Sequence, residues 1–210
     1  RDPEMSRGLG DVYKRQHSHS SMKPETPTIA VDVMGSDLGP EEIIIGIKNA
    51  LSEDRSDFGI VVVGREEVVT PMLLRHNLIR EPRVKVYNAS EVIGMDEKPI
   101  QAIKTKKDSS MMRAIEIVKL GTADAVLSCG NTGALMAGGT IKLRTMRGVE
   151  RPALGTVIPG KTKNFIFVDV GASPDPKPES LVDNAILGAN YAKIALGVGN
   201  PRCLLYTSPS

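Results

Sequence analysis

The stretch Ser128-Cys-Gly-Asn-Thr-Gly-Ala-Leu-Met-Ala137 concentrates small and polar residues between two apolar segments. Ala125-Val-Leu before it reads as a short buried strand, and Thr132 to Leu143 carries apolar residues at helical spacing. A strand, a tight turn and a helix in that order aim the backbone N–H groups of Gly130, Asn131, Thr132 and Gly133 at one point. The positive end of the helix points there too, so an anion can dock. The same composition also suits a plain βα turn that Asn131 or Thr132 caps. The turn alone leaves both readings open.

Two other segments share its character. Asp32-Val-Met-Gly-Ser-Asp37 follows the first strand, and Asp169-Val-Gly-Ala-Ser-Pro-Asp175 follows an apolar run at 164–168. In parallel α/β sheets ligands bind beyond the carboxyl ends of the strands. The pattern therefore predicts one cleft shared by Asp32, Gly35, Ser36, Asp37, the 130–133 turn, Asp169 and Gly171. For each carboxylate the bland alternative is a solvated Asx turn.

The elements that must position these residues alternate along the chain. Thr28 to Met34 reads as a strand and Pro40 to Leu51 as a helix opened by Pro and two acids. Gly59 to Val63 is a second strand, Glu66 to His76 a second helix, and Val84 to Tyr87 a third strand. A polar loop through Gly94 precedes a helix from about Ser109 to Leu120. Ala153–Ile158 and Asn164–Val170 read as adjacent strands joined through Pro159-Gly160, and a last helix covers roughly Ser180 to Ala195. Continuous apolar strands between helices predict an α/β fold with a mostly parallel sheet and helices on both faces.

The two ends are of different character. Asp11-Val-Tyr-Lys-Arg-Gln16 is the translation of a transposase sequencing adapter, and Cys203 to Ser210 translates its reverse complement. Residues 1–16 and 203–210 are therefore expected to be adapter-derived, with 17–202 as the biological part. The formal net charge is +2, but Arg1, Arg7, Lys14 and Arg15 contribute to it from the leading segment. The remainder is nearly neutral, which gives no argument for a nucleic-acid partner. Of the two cysteines only Cys129 lies in 17–202, so no disulfide is expected there and a reducing cytoplasm is. No apolar run approaches a membrane span. The three histidines are His17, His19 and His76, and none sits in a candidate loop.

Seven ordered motifs carry a more specific signal. They are Ile29-Ala-Val-Asp-Val-Met-Gly-Ser-Asp37, Met95-Asp-Glu-Lys-Pro99, Lys106-Lys-Asp-Ser-Ser-Met-Met112, Ser128 to Ala137, Arg151-Pro-Ala-Leu154, Asp169-Val-Gly-Ala172 and Lys177-Pro-Glu-Ser-Leu181. From Ile29 to Arg202 the chain resembles the PlsX family, the phosphate acyltransferases of bacterial phospholipid synthesis. Ser36 stands where the family's motif has a second Gly, and Ser173 where it has Asn.

The resemblance implies a fold like that of the isocitrate and isopropylmalate dehydrogenases and the acetyl-phosphate-forming transacetylases, cut short at the C-terminus by roughly a third. It implies transfer of a long acyl chain from acyl carrier protein to inorganic phosphate. Phosphate is anionic near neutral pH and needs no Ser–His–Asp device. Such an enzyme must hold it beside a thioester and stabilise the developing oxyanion. The 130–133 amides suit one of these anions. Ser109 and Ser110 can donate O–H bonds at a helix start, with Lys106 or Lys107 supplying charge. Asn131, Thr132 and Lys106 are the catalytic candidates; no metal or cofactor is expected.

Acyl carrier protein, acidic in this family, would be steered by Lys104, Lys106, Lys107, Arg113, Arg144, Arg147 and Arg151. The plain alternative for each is ordinary surface charge. The resemblance further implies a homodimer and peripheral membrane association in the full-length protein. The competing readings are an inactive fragment, a related transacylase, and a dehydrogenase. The last lacks a Gly-x-Gly-x-x-Gly after the first strand.

Overall fold

The computed structural model describes residues 26–53, 57–170 and 176–205. Strands β1 (Thr28–Asp32), β2 (Gly59–Gly64), β3 (Val84–Asn88) and β4 (Ala125–Ser128) form one sheet in the order β3-β2-β1-β4. All three pairings are parallel, and Asp32 lies between Val63 and Ser128. The helices are α1 (Pro40–Ser52), α2 (Glu66–Arg75), α3 (Pro99–Thr105), α4 (Ser110–Lys119), α5 (Thr132–Leu143) and α6 (Pro178–Leu196).

Alternation along each strand divides the core. Val31, Val33, Ile60 and Val62 face Ile44, Ile47 and Leu51 of α1 and Val69 and Leu73 of α2. Ala30, Val61 and Val63 face Ala114 and Ile117 of α4 on the other side. The central strands β1 and β2, covered on both faces, have no reason to alternate polar with apolar and so read as apolar runs, whereas β3 and β4 at the two edges are largely exposed. A third cluster joins α3, α4 and α5 through Ile103, Met111, Ile115 and Ala134.

The chain runs from β1 outward to β2 and β3, then returns to place β4 on the far side of β1. The strand order therefore reverses between β1 and β4, and a crevice opens at the carboxyl ends of such a pair. Among the described residues β4 pairs with β1 alone, so the strand expected to be buried is an edge strand with Leu127 half exposed.

Two features depart from the sequence reading. The short helix α3 was not anticipated, since seven residues are too few to show a helical period. Pro99 opens it, and Ala102 and Ile103 are its buried residues. The pair β5 (Gly155–Ile158) and β6 (Phe165–Val168) does form across Pro159-Gly160, but as an antiparallel hairpin outside the main sheet. Strand β6 therefore does not end at the edge where β1 and β4 end. Helix α6 packs on β6. Cys203, Leu204 and Leu205 are exposed, whereas residues 1–16, 171–175 and 206–210, Gly171 among them, lie outside the described residues.

Candidate functional site

The carboxyl ends of β1 and β4 meet through side chains and backbone. Asp32, buried at the end of β1, accepts the Ser128 hydroxyl proton at 2.7 Å through Oδ2 and the Met34 N–H at 3.1 Å through Oδ1. Ser128 Oγ in turn accepts the Gly130 N–H at 3.1 Å. Asp32 is thus a tie between two strand ends and presents no open carboxylate to a ligand. Ser36 Oγ accepts the Leu38 N–H at 3.3 Å, shaping the turn into α1, and Asp37 is exposed beside it.

Asn131 caps α5. Its Oδ1 accepts the Ala134 N–H at 2.9 Å, while Nδ2 lies 3.2, 3.1 and 3.0 Å from the carbonyl oxygens of Gly94, Met95 and Glu97. The side chain is buried. Its donors are therefore spent on the 94–97 loop, which places Asn131 among the residues that position the site.

Lys106 has a similar employment. Its Nζ donates to Glu97 Oε1 at 2.5 Å and to the Val92 carbonyl at 2.7 Å. Glu97 Oε1 also accepts the Gly94 N–H at 2.6 Å. These hydrogen bonds, the one from Lys106 foremost, hold the Glu97 carboxyl below its ordinary value. Ser109 is the N-cap of α4, its Oγ facing the Met112 N–H at 3.4 Å, and both Ser109 and Ser110 are buried.

The open part of the site is the start of α5. The first amides of a helix have no intrahelical partner. The Asn131 cap takes that of Ala134, and among the described residues no acceptor takes those of Thr132 and Gly133. Thr132 and Gly133 are exposed and line a cavity of about 830 Å³ with Ile100, Arg151, Leu154 and Val170. Val170 brings the segment after β6 to this cavity, although β6 belongs to another sheet. Asp169 just before it accepts the Leu154 N–H at 3.1 Å and so extends the hairpin.

Glu97, which closes the 91–97 loop, is not singled out by the sequence, although it lies inside the Met95–Pro99 motif. Arg113, expected among the steering cations, is engaged by Asp108 at 2.6 Å and Glu116 at 2.9 Å. Lys104, Lys107, Arg144, Arg147 and Arg151 are exposed. Among the described residues no group of three His, Cys, Asp or Glu could hold a metal ion. Nor is any helix there long and apolar enough to cross a membrane.

Comparison with known proteins supplies the context of this arrangement. The chain is 40% identical over 173 residues to the phosphate acyltransferase of Clostridium tetani, covering 82% of this chain and 51% of that protein. It is 44% identical over 174 residues to that of Halothermothrix orenii, covering 83% and 52%. The chain spans about half the length of the curated relatives it matches. Among solved structures, the EutD phosphotransacetylase from Staphylococcus aureus superposes with a TM-score of 0.58 at 18% identity, over 90% of this chain and 58% of that one. At that identity the likeness shows a shared fold. The family model for the fatty acid synthesis proteins matches residues 27–207, and the chain belongs to that family, the PlsX family.

Proposed function

We propose that the whole protein is a phosphate acyltransferase, transferring a long acyl chain from acyl carrier protein to inorganic phosphate for phospholipid synthesis. The observation that carries this reading is the start of α5. Two unpartnered amides, Thr132 and Gly133, open on a cavity in a chain 40% or more identical to proteins named for this activity.

In the reaction a phosphate oxygen attacks the thioester carbonyl carbon, the C–S bond breaks, and the sulfur leaves as thiolate. Negative charge develops on the carbonyl oxygen, and fixed N–H donors in a site of low dielectric stabilise it. The Thr132 and Gly133 amides are placed to hold either that oxygen or phosphate, aided by the positive end of α5. In this reading Asn131 and Lys106 are positioning residues. The first holds the helix start against the 94–97 loop, and the second holds the loop itself. Asp32, Gly35 and Gly130 fix the two strand ends, and buried Ser109 and Ser110 hold the start of α4. Asp37 and Asp169 order their loops, since a carboxylate repels phosphate, and Ser36 and Gly171 stand as candidate substrate contacts. Exposed Lys104, Lys107, Arg144, Arg147 and Arg151 suit an acidic carrier protein.

The reading also includes the dehydrogenase-like family fold, a cytoplasmic homodimer with peripheral membrane contact, and a remaining C-terminal part of the site. Because this chain spans half of its relatives, the second reading is that residues 17–202 alone are an inactive portion.

The test is Thr132→Pro in the full-length protein. Proline is well accommodated at the first helical position, and it removes the N–H. Acyl phosphate formation should fall by about 10²–10³, the typical effect of losing one oxyanion donor, with little change in melting temperature. Wild-type turnover in this variant would remove the amide of Thr132 from the chemistry.

A further inference from the structure

Helix α5 is apolar on nearly every side, and its sides have different neighbours. Ala134 and Gly138 pack inward, where a Cβ on Gly138 would lie 2.9 Å from both Ile115 Cδ1 and Met112 Sδ. The opposite side, with Leu135, Met136, Gly139 and Leu143, lines a second cavity of about 590 Å³. Its far wall is Ile166 and Val168 of β6 and Leu187 of α6. That volume lies within the range of small-molecule sites, roughly 300–1,000 Å³. Met136, Thr140 and Pro152 line both cavities, so this apolar space adjoins the one at Thr132 and Gly133. The Thr140 hydroxyl already donates to the Met136 carbonyl at 2.7 Å, which leaves the shared wall with little polar demand.

The two central glycines of α5 separate two causes. Packing accounts for Gly138, since a side chain there would collide with α4. Packing does not account for Gly139, where an added Cβ would meet nothing within 4 Å. Glycine inside a helix is destabilising relative to alanine. What its missing side chain leaves is space in the cavity.

We infer that this cavity holds the hydrocarbon tail of the acyl group, with the reacting end at Thr132–Gly133 and Gly139 governing how long a tail can pass. The inference rests on the acyltransferase reading and assigns that site its apolar subsite. Gly139 lies seven residues beyond Thr132, about 10 Å along the helix. With C–C bonds of ~1.5 Å in a tetrahedral zigzag, a tail of about eight carbons reaches it. A sixteen-carbon tail must go past.

The experiment measures binding of octyl- and hexadecylphosphonate, below their micellar concentrations, to this 210-residue chain and its variants. Each buried methylene is worth about fourfold in affinity, so the sixteen-carbon probe should bind far more tightly. Gly139→Phe should cut the sixteen-to-eight-carbon affinity ratio by more than tenfold, and Gly139→Leu by less. Gly46→Phe is the control, because Gly46 is on the exposed side of helix α1 with nothing within 4 Å of an added Cβ; it should not change the ratio. If Gly139→Phe fails to fold, Gly139→Leu decides. An unchanged ratio in folded Gly139 variants overturns the assignment, as does failure of the wild type to favour the longer probe. A monomer–dimer shift in the Gly139 variants without a change in ratio also overturns it, since the cavity would then serve a second copy. The transferase reading fails separately. Selective tail binding in a full-length protein that makes no acyl phosphate would remove the reaction and leave the tail subsite standing.

Discussion

Gly35 and Gly130 meet backbone to backbone: a Cβ on Gly35 would lie 2.9 Å from Gly130 Cα and 3.0 Å from Asp32 Oδ2. The loops leaving β1 and β4 can therefore converge only because both residues lack side chains. Gly35→Ala should lower stability by about 1–3 kcal/mol, the usual effect of overpacking. Gly46→Ala, on an open helix surface, should raise it by roughly 0.5–1 kcal/mol. Urea titration of both variants checks the pair, and equal midpoints would contradict the contact.

Asn131→Ala removes a helix cap and the donors that hold the carbonyls of Gly94, Met95 and Glu97. Losing such a cap costs about 1 kcal/mol. Hydrogen exchange should show the Ala134 amide exchanging faster together with the 94–98 segment. Faster exchange at Ala134 alone would mean that Asn131 does not hold the loop.

Lys106→Met removes the largest of the influences that keep Glu97 ionised. The Glu97 pKa should rise, though not fully to its ordinary value, because the Gly94 N–H still donates to it. Carboxyl-carbon NMR titration measures this directly. An unmoved Glu97 would show that the ion pair is absent in solution.

Asp108 gives a pH signature. Hydrogen bonds from the Ser90 hydroxyl and N–H, then from Arg113, lower its pKa from 3.8 to about 2. Folding favours the carboxylate, so this contribution is complete above the ordinary value and lost as pH falls from about 4 toward 2. Asp108→Asn should melt below wild type at pH 5, and the gap should narrow steadily by pH 3. A gap independent of pH would exclude the carboxylate as its source. Because Asp108 is well solvated, the gap should be modest.

The sequence made the sheet legible because strands buried on both faces carry an uninterrupted apolar signal, as Val61, Val62 and Val63 do in β2. The turn at 130–133 and its helix were readable for a different reason: Gly, Asn and Thr can be recognised as local chemistry. The Asn131 cap was among those local readings, and the structure bears it out; what Asn131 Nδ2 and Lys106 touch was not readable. Their partners lie 34–37 and 9–14 residues away, on a loop brought to them by packing of α3 that no period in the sequence announces. Nor could spacing show that β6 leaves the parallel sheet. Its Phe-Ile-Phe-Val run would serve equally well as a fifth parallel strand.

Strand β4 is one of the two edge strands of the sheet, β3 being the other, and its end becomes the 130–133 turn. Its outward peptide groups form a template for strand pairing, and a strand laid there would run directly beside Ser128. The candidate site thus stands at an open margin of the sheet, where a polypeptide paired along β4 would also form one wall of that site.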